Sequence, residues 1–156
     1  TADFMVDMLE DLWPSLKDGF DPHTIVINAD NGPENNSRRS QFMKRLVEFA
    51  KKNGVNLSLI YYPPYHSKYN PVERLWGVLE NHWRGELLTS TDKALGLART
   101  MTYRGIVPST VRLIRKIYRK GVRLTKKQMV PIEKRLQRLA GLEKWFITIC
   151  PEAGFG

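Results

Sequence analysis

The sequence predicts an α/β protein in which helices alternate with short strands. Two β-branched runs, Thr24–Ala29 (TIVINA) and Val55–Tyr62 (VNLSLIYY), each run into turn-forming residues and read as strands. Apolar residues recur at helical spacing before, between and after them. The resulting order of helix, strand, helix, strand, helix is that of layered α/β proteins. A right-handed crossover is expected between the two strands if they are parallel.

Each element has its own signal. Thr1–Leu16 has an apolar face of Phe4, Met5, Met8, Leu9, Leu12 and Trp13, and Pro14 is expected to disturb its last turn. The acids on its other face read as solvated. Gly19-Phe20-Asp21-Pro22 reads as a turn, and TIVINA after it as a buried strand. Ser37 is placed to cap a helix over Arg38–Lys52, with Phe42, Leu46, Phe49 and Ala50 inward, Met43 and Val47 alongside, and Asn53-Gly54 as its stop. Val55–Tyr62 then feeds Pro63-Pro64, which fix φ, remove two backbone donors and end the strand. Asn70-Pro71 reads as an N-cap with proline at the first helical position. Val72, Leu75, Trp76, Leu79 and Trp83 make an apolar stripe on the helix that follows. Thr91 or Ser90 caps a helix to about Arg104, closed by Gly105 and Pro108. Thr110–Tyr118 (TVRLIRKIY) fits either a helix or a strand. Thr125 is placed to cap a short helix, Lys126–Met129. Glu133–Leu139 reads as another helix, Trp145–Ile149 as a last strand and Glu152–Gly156 as a frayed end.

Composition narrows the class. The 156 residues allow one ordinary domain with a sizeable core. No run of about 18 apolar residues is present, so no membrane partner is expected. The N-terminus shows no signal pattern and no initiator Met, so the chain reads as a piece of something longer. The lone cysteine, Cys150, cannot form an internal disulfide and fits a small buried residue of a reduced, cytoplasmic protein. The net charge of +9 is uneven. Residues 1–34 hold eight acids and one base, leaving 24 bases against eight acids in the remainder. The basic excess peaks between Arg99 and Arg138. Such a surface attracts a polyanion, nucleic acid above all.

Two acids occupy special places. Asp30 ends the first strand and is followed at once by Asn31-Gly32-Pro33. Ligands of open α/β sheets gather at the carboxyl ends of strands, although Asp-Asn-Gly is also good turn sequence in its own right. Glu73 falls in the first turn of the helix after Asn70, off its apolar stripe. There the helix dipole alone would favour an acid. Together the two carboxylates suggest a shared divalent-metal site. Mg²⁺ takes hard oxygen ligands and often only one or two carboxylates, leaving room for water and phosphate oxygens. His66, Ser67, Lys68 and Asn70, with Asn31, are the loop residues able to steady Glu73 or touch a phosphate, and Lys68 has the charge for a backbone contact. Arg84, Arg112, Arg115, Lys116, Arg119 and Lys120 are the further candidates for DNA contact. Three histidines and one cysteine without clustered spacing give no zinc site. No nucleophile elbow, phosphate loop or dinucleotide fingerprint is present.

Asp30-Asn31-Gly32 at a strand end, followed by PPYHSKYNPVE before a Trp-bearing helix, resembles a DDE transposase. The likeness continues through Trp83-Arg84-Gly85-Glu86-Leu87-Leu88-Thr89-Ser90, Gly121-Val122-Arg123-Leu124-Thr125, Gln128-Met129 and Trp145…Pro151, a run similar to the rhodopirellula-type insertion-sequence transposases in particular. It covers nearly the whole chain. The resemblance implies an RNase H-like three-layer fold, incomplete at the N-terminus. Residues 1–90 would then be the C-terminal part of the DDE catalytic core and residues 91–156 a basic C-terminal extension packed on it. It implies that Asp30 and Glu73 are the second and third acids of a triad holding Mg²⁺ or Mn²⁺. The first acid belongs to a strand that nothing here matches. The family's loop after the second acid is more glycine-rich than Asn31-Gly32-Pro33-Glu34-Asn35. The implied activity is metal-dependent cleavage and joining of DNA strands, with transposon ends and target DNA as partners. Without the first acid, this chain alone is expected to be inactive or nearly so. A sheet edge left unpaired by missing strands would invite dimerisation.

Two other classes stand beside that reading: a non-catalytic nucleic-acid-binding or assembly module, decayed or regulatory, and an RNase H-like nuclease that cuts without joining.

Overall fold

A computed structural model describes residues 1–63 and 70–152. The chain forms two compact units, Thr1–Pro64 with Tyr118–Gly156, and Tyr65–Ile117.

The first unit is built on a mixed sheet. Strand β1 (Thr24–Ala29) pairs in parallel with β2 (Asn56–Tyr61), from Thr24 opposite Asn56 to Ala29 opposite Tyr61. Parallel neighbours need a crossover, supplied by helix α2 (Ser40–Asn53). Beyond β2 lies β4 (Phe146–Ile149), antiparallel to it, and then β3 (Leu136–Arg138), so the order is β1-β2-β4-β3. In-register residues share a face. Leu57, Leu59, Ile147 and Ile149 point to the inner face and are fully buried, each contributing about 1.5–3 kcal/mol by burial. β1 is not the buried strand its composition predicts. Among the described residues it pairs on one side only, and Val26 on its outer face is 56% exposed.

Helix α1 (Ala2–Phe20) and α2 supply the rest of this core. Thr1 caps α1, accepting from the Phe4 amide at 3.3 Å, and Asp21 ends it in the left-handed conformation. Pro14 leaves the helix running to Phe20, so Gly19 and Phe20 are helical. A proline removes one ladder hydrogen bond, and here the packed face carries the helix through that loss. That face is Ala2, Val6, Leu9, Trp13 and Leu16, spaced at alternating steps of four and three. It is rotated from the expected stripe, and Phe4, Met5 and Leu12 stay at least 38% exposed. The acids of α1 are not merely solvated. Asp3 accepts from Gln41 Nε2 at 2.8 Å, Asp7 pairs with Arg45 at 2.7 Å, and Glu10 pairs with Lys52 at 2.5 Å. Every one of these partners lies on α2.

α2 begins at Ser40, with Arg39 at the cap position and no side-chain cap bond; Ser37 is buried instead. The predicted inward residues Phe42, Met43, Leu46, Val47, Phe49 and Ala50 are all buried. Trp13 meets Phe49 edge-on, centroids 5.7 Å apart. Gly54 closes the helix at φ 65°, a conformation that favours glycine.

Helix α5 (Lys126–Glu133) starts on a capping box of Thr125 and Gln128 and extends past Met129. The helix expected over Glu133–Leu139 is instead the end of α5 followed by β3. Ladder pairing with β4 puts Leu136 opposite Ile149 in the core, and this tertiary contact overrides local propensity. Arg138 locks the strand by donating to the Ser37 carbonyl at 3.1 and 3.2 Å and to Glu133 at 3.1 Å. Cys150 is buried, and burial pushes its thiol pKa up.

The second unit contains α3 (Pro71–His82) and α4 (Thr91–Thr100). Asn70 caps α3 through Val72 N–H at 3.3 Å with Pro71 beside it, and Ser90 caps α4 through Lys93 N–H at 3.1 Å. The expected apolar stripe of α3 is mostly on the surface: Leu79 is buried, but Trp76 is 59% exposed. Thr110–Tyr118 is neither helix nor strand. Its apolar side chains do not line one buried face; Ile117 is 93% exposed. Among the described residues no helix is long and apolar enough to cross a membrane.

Truncating Phe49 to alanine should lower the unfolding free energy by about 3–5 kcal/mol, whereas Ile117→Ala should change it by less than about 0.5 kcal/mol. Urea unfolding of the two variants checks this; equal effects would refute the assigned core.

Candidate functional site

Asp30 stands where β1 ends. Ala29 is the last ladder residue, opposite Tyr61, and the chain then leaves the sheet through Asn31, which takes φ 61°. Asparagine tolerates this left-handed conformation better than most residues. The turn folds back on the carboxylate. Asp30 Oδ1 accepts from the Gly32 amide at 3.2 Å and from Asn35 Nδ2 at 2.8 Å. A Cβ on Gly32 would lie 3.1 Å from Asn35 Oδ1 and 3.3 Å from Asp30 Oδ1, so only glycine fits without pushing these groups apart. Asp30 itself is exposed.

The loop is held at several points. Asn36 Nδ2 donates to the carbonyls of Gly32 and Pro33 at 3.1 and 3.2 Å, and its Oδ1 accepts from the Arg38 amide at 3.0 Å. The Tyr61 hydroxyl, from the end of the neighbouring strand, donates to the Asn35 carbonyl at 2.8 Å. Burial raises the Tyr61 pKa well above the tyrosine range, against a smaller opposing effect of Arg138, so the hydroxyl remains a donor. Glu34 accepts from the Ala2 amide at 3.3 Å and pairs with Arg39 at 3.1 Å, tying the loop to α1 and α2. Burial alone would raise the Glu34 pKa, but the Ala2 amide and the Arg39 guanidinium outweigh it and hold the carboxyl below its ordinary value.

The donor set at Asp30 fits a hard cation. Asp30 Oδ2 makes no hydrogen bond among the described residues. The side-chain oxygens of Asn31 and Asn35 are buried without a partner. Orphaned buried acceptors are costly unless a cation or an ordered water satisfies them. No group of three metal-ligating acids, histidines or cysteines occurs among the described residues.

Glu73 lies in the first turn of α3, exposed, its amide donating to the Asn70 carbonyl at 3.2 Å. It belongs to the second unit and Asp30 to the first. Asn70 serves as the cap of α3. His66, Ser67 and Lys68 lie outside the described residues. Arg84, Arg112, Arg115, Lys116, Arg119 and Lys120 are all exposed. Of these, Arg84 to Lys116 belong to the second unit, and Arg119 and Lys120 to the first. Sequence reasoning missed Asn35, Asn36 and Tyr61 as the residues that hold Asp30. The available signal was the density of asparagines in NADNGPENN, side chains that bond to nearby backbone.

The family model for the Rhodopirellula transposase DDE domain matches residues 1–151. No curated protein and no solved structure matches.

Tyr61→Phe should cost about 1 kcal/mol and speed amide exchange in residues 31–36 while Leu57 and Leu59 stay protected. Exchange rates unchanged from wild type would show that the hydroxyl does not hold the loop. The lowered Glu34 pKa contributes stability that is complete above its unfolded value and is lost as pH falls through the folded one. Stability should therefore decline on acidification below the ordinary glutamate value of 4.5, and Glu34→Gln should flatten that part of the pH profile in denaturant titrations.

Proposed function

The chain belongs to the Rhodopirellula transposase DDE domain family, and from that premise we propose that it acts on DNA as part of the catalytic core of a transposase, with Asp30 and Glu73 as two of the acids of a DDE triad. The family implies DNA binding and a divalent metal in general. The observation that carries the assignment to Asp30 is its position: a carboxylate at the end of a parallel strand, pinned through one oxygen with the other left over. The mixed sheet with α2 crossing between β1 and β2 is consistent with part of an RNase H-like fold.

On this reading the carboxylates of Asp30 and Glu73 would hold Mg²⁺ or Mn²⁺, with the unpartnered side-chain oxygens of Asn31 and Asn35 as further neutral acceptors in the Asp30 loop. When bound, such an ion polarises the phosphodiester and makes an attacking hydroxyl more acidic. The chain's own residues prepare the site. Gly32 N–H and Asn35 Nδ2 fix the carboxylate's orientation before any ligand arrives, which lowers the entropy lost on binding. Tyr61 keeps Asn35 in place. The exposed bases Arg84, Arg112, Arg115, Lys116, Arg119 and Lys120 supply phosphate contacts that hold DNA without reading its sequence.

Calorimetry with Mn²⁺ tests the acids. Asp30→Ala and Glu73→Ala should each weaken binding by at least about tenfold, or 1.4 kcal/mol. Binding unchanged in both variants would refute the assignment. Incubation of the full-length protein, which carries the first acid, with transposon-end DNA and Mg²⁺ tests the reaction: joined strands support a transposase, and cut strands that never join favour a nuclease.

A further inference from the structure

A second feature of the first unit lies at the other end of the Asp30 loop. Pro33, Asn36, Arg38, Arg39, Ser40 and Arg123 line a hollow of about 220 Å³ at the start of α2. Three guanidinium groups border it. Arg39 is engaged with Glu34, and that pair is neutral overall. Arg38 and Arg123 are exposed and make no side-chain hydrogen bond or ion pair with any described residue, so the hollow keeps about two unbalanced positive charges.

The start of α2 and the charge of the exposed arginines both favour an anion here. The N-cap residue of α2, Arg39, makes no side-chain cap bond, and Ser40, the first residue of the helix, lines the hollow, so the positive end of the helix dipole lies beside it. The Arg39 side chain is only 10% exposed and is held by Glu34, so the free charge at the hollow is that of Arg38 and Arg123. The lining is also fixed in place. The Leu124 amide donates to Ser40 Oγ at 2.9 Å, which holds the Arg123 segment against the first residue of α2. Asn36 accepts from the Arg38 amide at 3.0 Å, which holds the other side.

We propose that this hollow seats a backbone phosphodiester of nucleic acid, gripped by Arg38 and Arg123 over the start of α2. This rests on the reading of the chain as one that acts on DNA. The hollow is open, and the segment that carries Arg123 is basic on both sides, with Arg119, Lys120, Lys126 and Lys127 all exposed. A polymer of phosphates uses such a track, whereas a single free anion uses one point of it. The forked donors of arginine match two oxygens of one phosphate.

The test is fluorescence anisotropy of the chain with a short labelled duplex of arbitrary sequence over a range of NaCl concentrations. Arg38→Gln with Arg123→Gln should weaken binding by at least about tenfold and reduce the slope of log affinity against log salt by about one. Lys44→Gln with Lys51→Gln removes two charges from the same helix away from the hollow and should change affinity by less than about threefold. Arg38→Lys with Arg123→Lys should keep the salt slope and restore part of the affinity. Arg38, Arg123 and Lys51 are exposed, and Lys44 is half-buried and gives up only a surface pair with Glu48, so melting temperatures should stay close to the wild type. Inorganic phosphate should compete no better than chloride at equal ionic strength. Equal losses for the arginine and lysine pairs would overturn the proposal, and strong competition by inorganic phosphate would reassign the hollow to a free anion. Wild-type chain that binds no DNA would defeat the DNA-acting reading itself. Wild-type binding that the arginine pair leaves untouched would defeat the hollow alone.

Discussion

The parallel pairing of β1 with β2, in the register that sets Ala29 opposite Tyr61, is the constraint on which this structure turns. It requires a crossover, and α2 provides one whose buried face fills the core. It brings Asp30 out of the sheet beside the end of β2. It also puts the Tyr61 ring where its hydroxyl can reach the Asn35 carbonyl. A one-residue slip would turn Leu57 and Leu59 away from the helices and carry Tyr61 off the loop, since strand side chains alternate between faces. The hydrophobic face that fixes the register therefore also fixes the carboxylate.

The lopsided charge of the sequence acquires a structural meaning. Four of the eight acids early in the chain engage α2 and its approach: Asp3 and Asp7 meet Gln41 and Arg45, Glu10 meets Lys52, and Glu34 meets Arg39. These partly exposed pairs add little stability individually. Their larger effect is on the field. They neutralise basic residues of α2 internally, so the positive excess of the chain is carried by residues beyond it, from Arg84 to Lys127. Screening limits the reach of that field to about 8 Å at physiological salt, so its contribution is to nearby phosphates and not to distant steering.

Much of this architecture was legible in the sequence where two signals agreed. TIVINA and the run ending at Tyr61 combine β-branched residues with firm breakers. The α2 stripe has six inward residues and a glycine stop, and all six are buried. Asn70-Pro71 and Thr125…Gln128 cap helices as their chemistry predicts. The misreadings share a cause, which is that pairing between distant segments decided the outcome. Leu136–Arg138 has helical propensity but is a strand because β4 lies alongside. Val6 was overlooked on α1 because the stripe was drawn through larger residues, whereas packing selects by position around the helix. The position of Asp30 just past the end of β1 was legible from the strand run and the breaker after it. The buried hydroxyl that holds its loop lies 26 residues beyond the asparagine it reaches, and no local pattern announces such a contact.

The segment from Asp30 to Ser40 joins two electrostatically opposite places. At its start stand the Asp30 carboxylate and the unpartnered side-chain oxygens of Asn31 and Asn35. At its end, guanidinium groups and an uncapped helix call for an anion. Between them the Glu34–Arg39 pair, with Asn36 bonded to backbone on both sides, keeps the segment from collapsing on itself. Were Asp30 to pair directly with Arg38 or Arg39, both places would be neutralised. The donors to Asp30 are instead uncharged, Asn35 Nδ2 and the Gly32 amide, which orient the carboxylate without cancelling its charge. A phosphodiester substrate with its metal is itself a pairing of anion with cation. A loop that keeps its own opposite charges apart leaves each of them uncancelled, which is the arrangement the proposed metal and phosphate sites both require.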